Sequence, residues 1–311
     1  MFFSILVVLG APFLGSESMS WELLKIPEYH SIFWQLRVPR VCLAFLAGAV
    51  LAVSGMNFQA IFQNILACPF TLGTSSAAAF GAISCIFLGL SFSIAGLDSV
   101  SFFAFLWASI AIFIIYTLAS IKKNYSKTFM ILAGVAINFF FSSMILFVQF
   151  LSDFTDSLRI LHWLMGGLDI VGFKDIIHIL PGTILGLGIT ILLRSELNLL
   201  SLGEEMALAR GVNVRRVKGW LCFGTAMMVA SIVSVCGPIG FIGIIVPHVG
   251  RWIIGFDHRH LWLMSFVLGG TFLVVCDVIS HILLSPIVLP IGIVTSFIGC
   301  FFFVWLLVKQ S

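Results

Sequence analysis

The stretch LWLMSFVLGGTFLVVCDVISHILL, from Leu261 to Leu284, carries one carboxylate, Asp277, and neither Lys nor Arg. A bilayer-crossing helix needs about 20 mostly apolar residues, which this run supplies. Further apolar runs near 1–14, 40–58, 70–92, 100–121, 129–151, 176–193, 219–237, 239–255 and 290–308 predict ten spans in all. The 311 residues are 60% hydrophobic and 9% charged, with 32 Phe and a mean hydropathy of +1.17, whereas soluble domains carry roughly 25% charged residues. A soluble enzyme, a disordered regulator and a nucleic-acid binder are excluded. The expected fold is an all-α polytopic membrane protein, with residues 1–311 forming one domain.

The first run begins at Met1 without a basic stretch, and no small-residue cleavage site follows before Trp21, so it reads as a span rather than a signal peptide. The net charge of +3 is too small to argue for a polyanionic partner. Its distribution says more. Sorted by loop, eleven Lys and Arg stand with four acids on one side, against five with eight acids on the other. The first side is therefore expected in the cytoplasm, with both termini on it. The seven cysteines lie singly and form no CxxC pair, so they read as small apolar residues.

Two connections, 15–39 outside and 194–218 inside, exceed the roughly 2–8 residues usual between helices. In the first, Arg37-Val38-Pro39-Arg40 sets two cations at the positive end of a helix on the cation-poor side. They either anchor to lipid headgroups or dock carboxylates of an external protein. The second reads as short amphipathic pieces hinged at Gly203 and Gly211, with Leu199, Leu200, Leu202, Met206, Leu208 and Val212 available for an apolar face. It either lies on an anionic leaflet or seats in the groove of a cytosolic protein, with Glu204 and Glu205 setting register. Pro238, Pro247, Pro286 and Pro290 stand among Gly237, Gly240, Gly243, Gly250 and Gly292. Broken backbone at membrane depth needs protein or a water-filled cavity around it, which points to a transport path; kinked helices in a structural bundle are the alternative.

No GxxxxGK[ST] loop is present, so energy from ATP has to come from another chain. Neither GxSxG nor HExxH occurs, Asp153 and Asp156 read as a solvated outer loop, and Asp257-His258-Arg259-His260 reads as a polar turn rather than a metal site. No catalytic residue, metal or cofactor is expected. An intramembrane enzyme for lipid-linked substrates would need a cluster of acids or metal ligands within the spans. A secondary transporter would need inverted repeats and ion-coupling residues in mid-span. Asp277 is the one embedded acid, and with His281 a helical turn away it reads as an Asp–His pair at the outer mouth.

From about Arg37 to Lys309 the chain resembles the FecCD-type permeases, membrane subunits of ABC importers for iron chelates, haem and cobalamin. The resemblance rests on RVPR at 37–40, GAVLAVSGMNFQAIFQNILACPFTLGTSSAAAFGA at 48–82, LAGVAIN at 132–138, WLMGGL at 163–168, LSLGEEMALARGVNV at 200–214, GPIGFIGIIVPHVGR at 237–251, DHRHL at 257–261 and LPIGIVTSFIG at 289–299. It implies a type II importer permease architecture of ten spans in the inner membrane, paired with a second copy or paralogue. ABC ATPase subunits are implied below it and an extracytoplasmic substrate-binding protein above, with membrane lipid around it and no nucleic acid. The cargo implied is an iron(III) chelate or haem, with cobalamin as the alternative.

Under the resemblance, Arg37 and Arg40 meet the binding protein, and His281 stands where the family tends to carry a third docking Arg. Leu202, Gly203, Glu204, Glu205, Met206 and Gly211 fall in the element that couples to the ATPase. Asn64 and Leu66 belong to the loop that closes the inner gate, with Asn138 and Asp277 on the translocation path. Gln63-Asn64-Ile65-Leu66-Ala67 departs from the family's Arg-Asn-Pro-Leu-Ala, losing a cation and a proline. Val288 and Phe301 replace a Glu and a Pro.

Overall fold

The computed structural model describes residues 2–15, 22, 25–94, 97–121, 127–285 and 287–310. Glu17, Lys122, Lys123 and Pro286 lie outside the described residues. Five helical stretches are long and apolar enough to cross a membrane: Pro27–Ile61, Leu132–Leu151, Lys174–Leu192, Val214–Cys236 and His258–Ile282. Phe3–Phe13, Thr74–Phe87, Ser99–Ile115, Ile242–Ile254 and Ile291–Leu306 are shorter and also apolar. Together they fall on the runs predicted from hydropathy, and the chain is an all-α, multi-span membrane protein.

In chain order the helices are α1 (Phe2–Gly10), α2 (Pro27–Ile32), α3 (Val38–Ile61), α4 (Thr74–Phe87), α5 (Ser99–Ile121), α6 (Lys127–Leu151) and α7 (Phe154–Leu164). Then follow α8 (Lys174–Leu192), α9 (Arg194–Ser201), α10 (Glu204–Ala209), α11 (Val214–Cys236), α12 (Ile242–Ile254), α13 (His258–Ile282) and α14 (Ile291–Gln310). A two-residue antiparallel pair, Ser93–Ile94 with Leu97–Asp98, precedes α5.

The second half of the expected outer loop, 27–37, is helical instead. Pro27 sits in the first turn of α2, where its missing N–H costs nothing. A π turn over Phe33–Arg37 then leads into α3. Pro39 lacks the N–H that would bond the carbonyl four residues back, and that carbonyl, Gln35 O, accepts from Gly172 N at 2.7 Å instead. The proline thus creates an attachment point for a distant turn.

Helix α3 is buried along most of its length among α11, α12 and α13. Small residues make this packing close: a Cβ added at Gly48 would run into Gly269 O of α13, and one at Gly55 into the Gly243 backbone of α12. Gly55→Val is expected to cost about 1–3 kcal/mol or more through overpacking, seen as a lower thermal midpoint in detergent. An unchanged midpoint would contradict the close crossing.

Helices α4 and α12 are 14 and 13 residues long, or about 20 Å each at 1.5 Å per residue. The hydrocarbon core is about 30 Å thick, so the irregular segments 62–73 and 237–241 occupy part of the depth the spans were expected to fill. Protein packs against both segments, although Ile65 and Phe70 remain exposed. A Cβ at Gly240 would touch the Phe70 ring at 3.7 Å, and the carbonyls of Trp163 and Met165 close on Gly237 and Gly292. Phe241 takes φ +67°, a left-handed conformation rare for a bulky side chain, and its ring lies where α14 offers only Gly299.

The reading of Asp153 and Asp156 as loop residues is corrected for Asp156, while Asp153 is exposed and just precedes the helix. Asp153 N-caps α7, its carbonyl accepting from Ser157 N at 2.9 Å, and Asp156 in the first turn faces Arg159 at 3.6 Å. Acids at a helix start oppose the dipole's positive end, so the charges that suggested a loop instead favour the helix.

Candidate functional site: two polar ends joined by packed helices

At one end of the bundle Arg40 bridges two acids. Its Nε donates to Asp277 Oδ1 at 2.9 Å and its Nη1 to Asp169 Oδ1 at 3.1 Å. The Arg40 and Asp277 side chains are 17% and 6% exposed, against 62% for Asp169. His162 Nε2, on α7, stands 3.9 Å from the other Asp169 oxygen. This corrects the expected pairing of Asp277 with His281, because the embedded acid turns across to α3. A guanidinium offers several donors in a planar fork and can serve two carboxylates at once. His281 sits beside Ser280, Nδ1 to Oγ 3.5 Å, and Ser280 donates to the Asp277 carbonyl at 2.7 Å. Arg37 Nη1 donates to Pro12 O at 3.2 Å, tying α3 to the segment after α1. The two arginines read as docking cations therefore both carry internal bonds.

At the other end α9 and α10 form a hinged platform. Gly203, between them, has φ +120° and ψ +152°, a region open essentially to glycine, and Gly211 has φ +79°. The apolar face expected for this segment divides. Leu197, Leu200 and Ala207 are fully buried against the bundle, with Leu199 and Val212 packed beside them. Leu202, Met206 and Leu208 point outward. Glu204 accepts from Lys218 Nζ at 2.6 Å, which pins α10 to α11, while Glu205 is exposed.

The segment 62–73 lies over this platform. Asn64 Oδ1 accepts from Leu66 N at 3.0 Å, an Asx turn that shapes the loop without a proline at Ile65. Thr71 Oγ1 bonds Cys68 N at 3.0 Å and Leu66 O at 2.9 Å. Gln63, at φ +48°, donates through Nε2 to Leu200 O of α9 at 3.1 Å and so links loop and platform directly. Leu66 and Asn138 are half-buried. Gly73 closes on the backbone N of Asn138, leaving no room for a side chain at the turn.

Two further polar clusters, one around Gln59 and one around Asn198, join residues far apart in the sequence and had no local signal there. Gln59 donates to Gly243 O at 2.9 Å and accepts from Arg251 Nη2 at 2.6 Å, joining α3 to both ends of α12. Asn198 of α9 donates to Asp257 Oδ1 at 2.7 Å, and its Oδ1 accepts from His258 N at 2.6 Å, with His258 Nδ1 at 2.8 Å. Asp257 also accepts from Arg259 N at 2.9 Å, as the N-cap of α13. Polar residues within apolar runs, such as Gln59, are the one available clue, since a buried amide needs partners.

The Asn198 amide and the Arg259 N–H hold the Asp257 carboxyl below its usual range. A depressed folded-state pKa contributes stability that is present above the unfolded value, about 3.9, and lost as pH falls through the folded one. Amide hydrogen exchange in α9 is thus expected to show constant protection from pH 8 to 5, after correction for intrinsic rates, and loss only below about pH 4. Loss already near pH 6 would count against the carboxylate contact.

Residues 2–309 match the FecCD transport family. The ABC transporter permease protein YvrB of Bacillus subtilis is 38% identical over 287 residues, covering 91% of this chain and 80% of that protein. The hemin transport system permease protein HmuU of Yersinia pestis is 35% identical over 315 residues, 98% of this chain and 93% of its own. Among solved structures, a metal-chelate type ABC transporter in an inward-facing conformation superposes with a TM-score of 0.85 at 29% identity, covering 99% of this chain and 98% of the other. The chain belongs to the FecCD transport family and has the all-α fold of an ABC transporter permease.

Proposed function

We propose that this permease imports an iron(III) chelate or haem across the inner membrane, using ATP hydrolysed on a separate subunit. The observation that carries the reading is the platform: three exposed apolar side chains on two short helices whose opposite face is locked into the bundle. Such a surface fits a groove on a soluble partner, and here the partner is the ATPase pair. Asn198 joins the platform to the start of α13, α13 packs along α3 through Gly48 and Gly269, and Asp277 near its far end holds Arg40. A displacement of α9 is thereby felt at the opposite end.

In this reading the α9–α10 end and both termini are cytoplasmic, consistent with the excess of Lys and Arg there, and a substrate-binding protein docks at the Arg37 and Arg40 end. A second permease copy or paralogue covers the exposed side of α6, where Phe139, Phe140, Phe147 and Phe150 stand clear of the chain's own core. Asn64 and Leu66 close the inner gate, with Asn138 behind them. Gate and platform share the Gln63–Leu200 bond. The similarity to a hemin permease and to a metal-chelate transporter supports this cargo class.

The test is ATPase activity and uptake in vesicles holding the permease, its ATPase and its binding protein, with ferric chelate, haem or cobalamin supplied in turn. Stimulation by the first or second supports the reading; stimulation by cobalamin alone replaces the cargo, and no association with any ATPase removes the function. Arg37→Glu is expected to lower uptake by an order of magnitude or more while ATPase association persists.

A further inference from the structure

Between α12 and α14, at the α9–α10 end, lies a cleft of about 380 Å³ lined by Ile65, His248, Arg251, Trp252, Trp305 and Lys309 among others, with no Asp or Glu in its wall among the described residues. Arg251 gives its hydrogen bond to a neutral amide, Gln59 Oε1, at 2.6 Å. Lys309 Nζ stands 5.0 Å and 5.5 Å from the ring centroids of Trp305 and Trp252. Neither cation pairs with a carboxylate among the described residues. Two cations lining one cleft repel one another, and Arg251 is also half-buried, an arrangement that an anion between them relieves.

We propose that this cleft holds the phosphate headgroup of an anionic phospholipid. The guanidinium fork suits a phosphate, and Lys309 adds a second charge on a flexible stem. Trp252 and Trp305 lie near the ends of their helices, as aromatic residues do at the membrane interface. Around the cleft Ile253, Phe256 and Val308 are 57%, 76% and 72% exposed, which gives acyl chains an apolar surface. Basic pockets between spans near one membrane face are the form such lipid sites take. The bound headgroup would bear on Arg251, whose partner Gln59 also holds Gly243, and on Ile65 of the 62–73 loop. It would thereby stiffen the broken segments on both sides.

The site is independent of the cargo. The full chain, purified from detergent containing equal phosphatidylglycerol and phosphatidylcholine, is analysed by native mass spectrometry. One phosphatidylglycerol is expected to be retained in preference, about fivefold less in Lys309→Gln and less again in Arg251→Gln/Lys309→Gln. Lys309 is exposed at a helix end, so the single variant tests the site with the fold intact, as its unchanged thermal midpoint in lipid-free detergent will show. Three results would overturn the proposal: equal retention of the two lipids, retention in Lys309→Gln at the unmutated level, or displacement by an equal concentration of glycerol 1-phosphate, which would make it a soluble-anion site. A purified dimer retaining no phosphatidylglycerol would overturn it too, the second copy then covering the cleft.

Discussion

Arg40→Met is expected to destabilise the subunit by about 3–5 kcal/mol, because it leaves the Asp277 carboxylate buried without its partner. Asp277 is 6% exposed and lies in a spanning helix, where water cannot replace the lost donor. The largest effect should come from removing either partner alone. Arg40→Met/Asp277→Leu is expected to recover most of the loss, since replacing both members of a buried pair with apolar residues is often neutral or better. A double-mutant cycle on unfolding in mixed micelles measures the coupling. Additive losses in the double variant would show that the two side chains do not depend on one another. This also bears on docking: Arg40→Glu would set a third acid beside Asp169 and Asp277, so uptake lost in that variant would report misfolding. Arg37, which donates to the Pro12 carbonyl, is the second position at which to make the charge reversal.

The helical spans were legible because hydropathy acts locally: an apolar run reports its own burial whatever it packs against. What escaped depended on distance or on a charge with two meanings. Asp277 had His281 one turn away as its evident partner, yet its hydrogen bond goes to a residue 237 positions distant. Only the packing of α3 on α13 brings them together. The acids of 153–156 looked like solvated loop because charge and loop correlate, whereas here they open α7. The breakers at 237–243 do interrupt the helix, between the end of α11 at Cys236 and the start of α12 at Ile242. Their consequence, that α4 and α12 fall short of the full thickness, required the neighbouring segments that shield the gap. On the platform, the positions of Gly203 and Gly211 could be read, but which leucines face inward depends on where the bundle lies relative to α9.

Asn198→Leu is expected to leave the ATPase bound and hydrolysing while uptake falls more than tenfold. The substitution keeps the side chain's size and removes every hydrogen bond by which α9 holds the N-cap of α13. At about 1 kcal/mol for each net bond, some 2–3 kcal/mol of anchoring disappears. The exposed surface of Leu202, Met206 and Leu208 is untouched, and so are the buried Leu197 and Leu200 that seat the platform. A lost fold would abolish both activities, whereas a lost connection separates them, so the ratio of cargo taken up to ATP hydrolysed is the quantity to measure. Asn198→Asp retains an acceptor for the His258 N–H but sets a carboxylate against Asp257, and should give an intermediate ratio. If Asn198→Leu transports with the unmutated ratio, α13 does not carry the platform's movement. The Gln63–Leu200 bond, which ties the same helix to the 62–73 loop, would then be the next connection to sever.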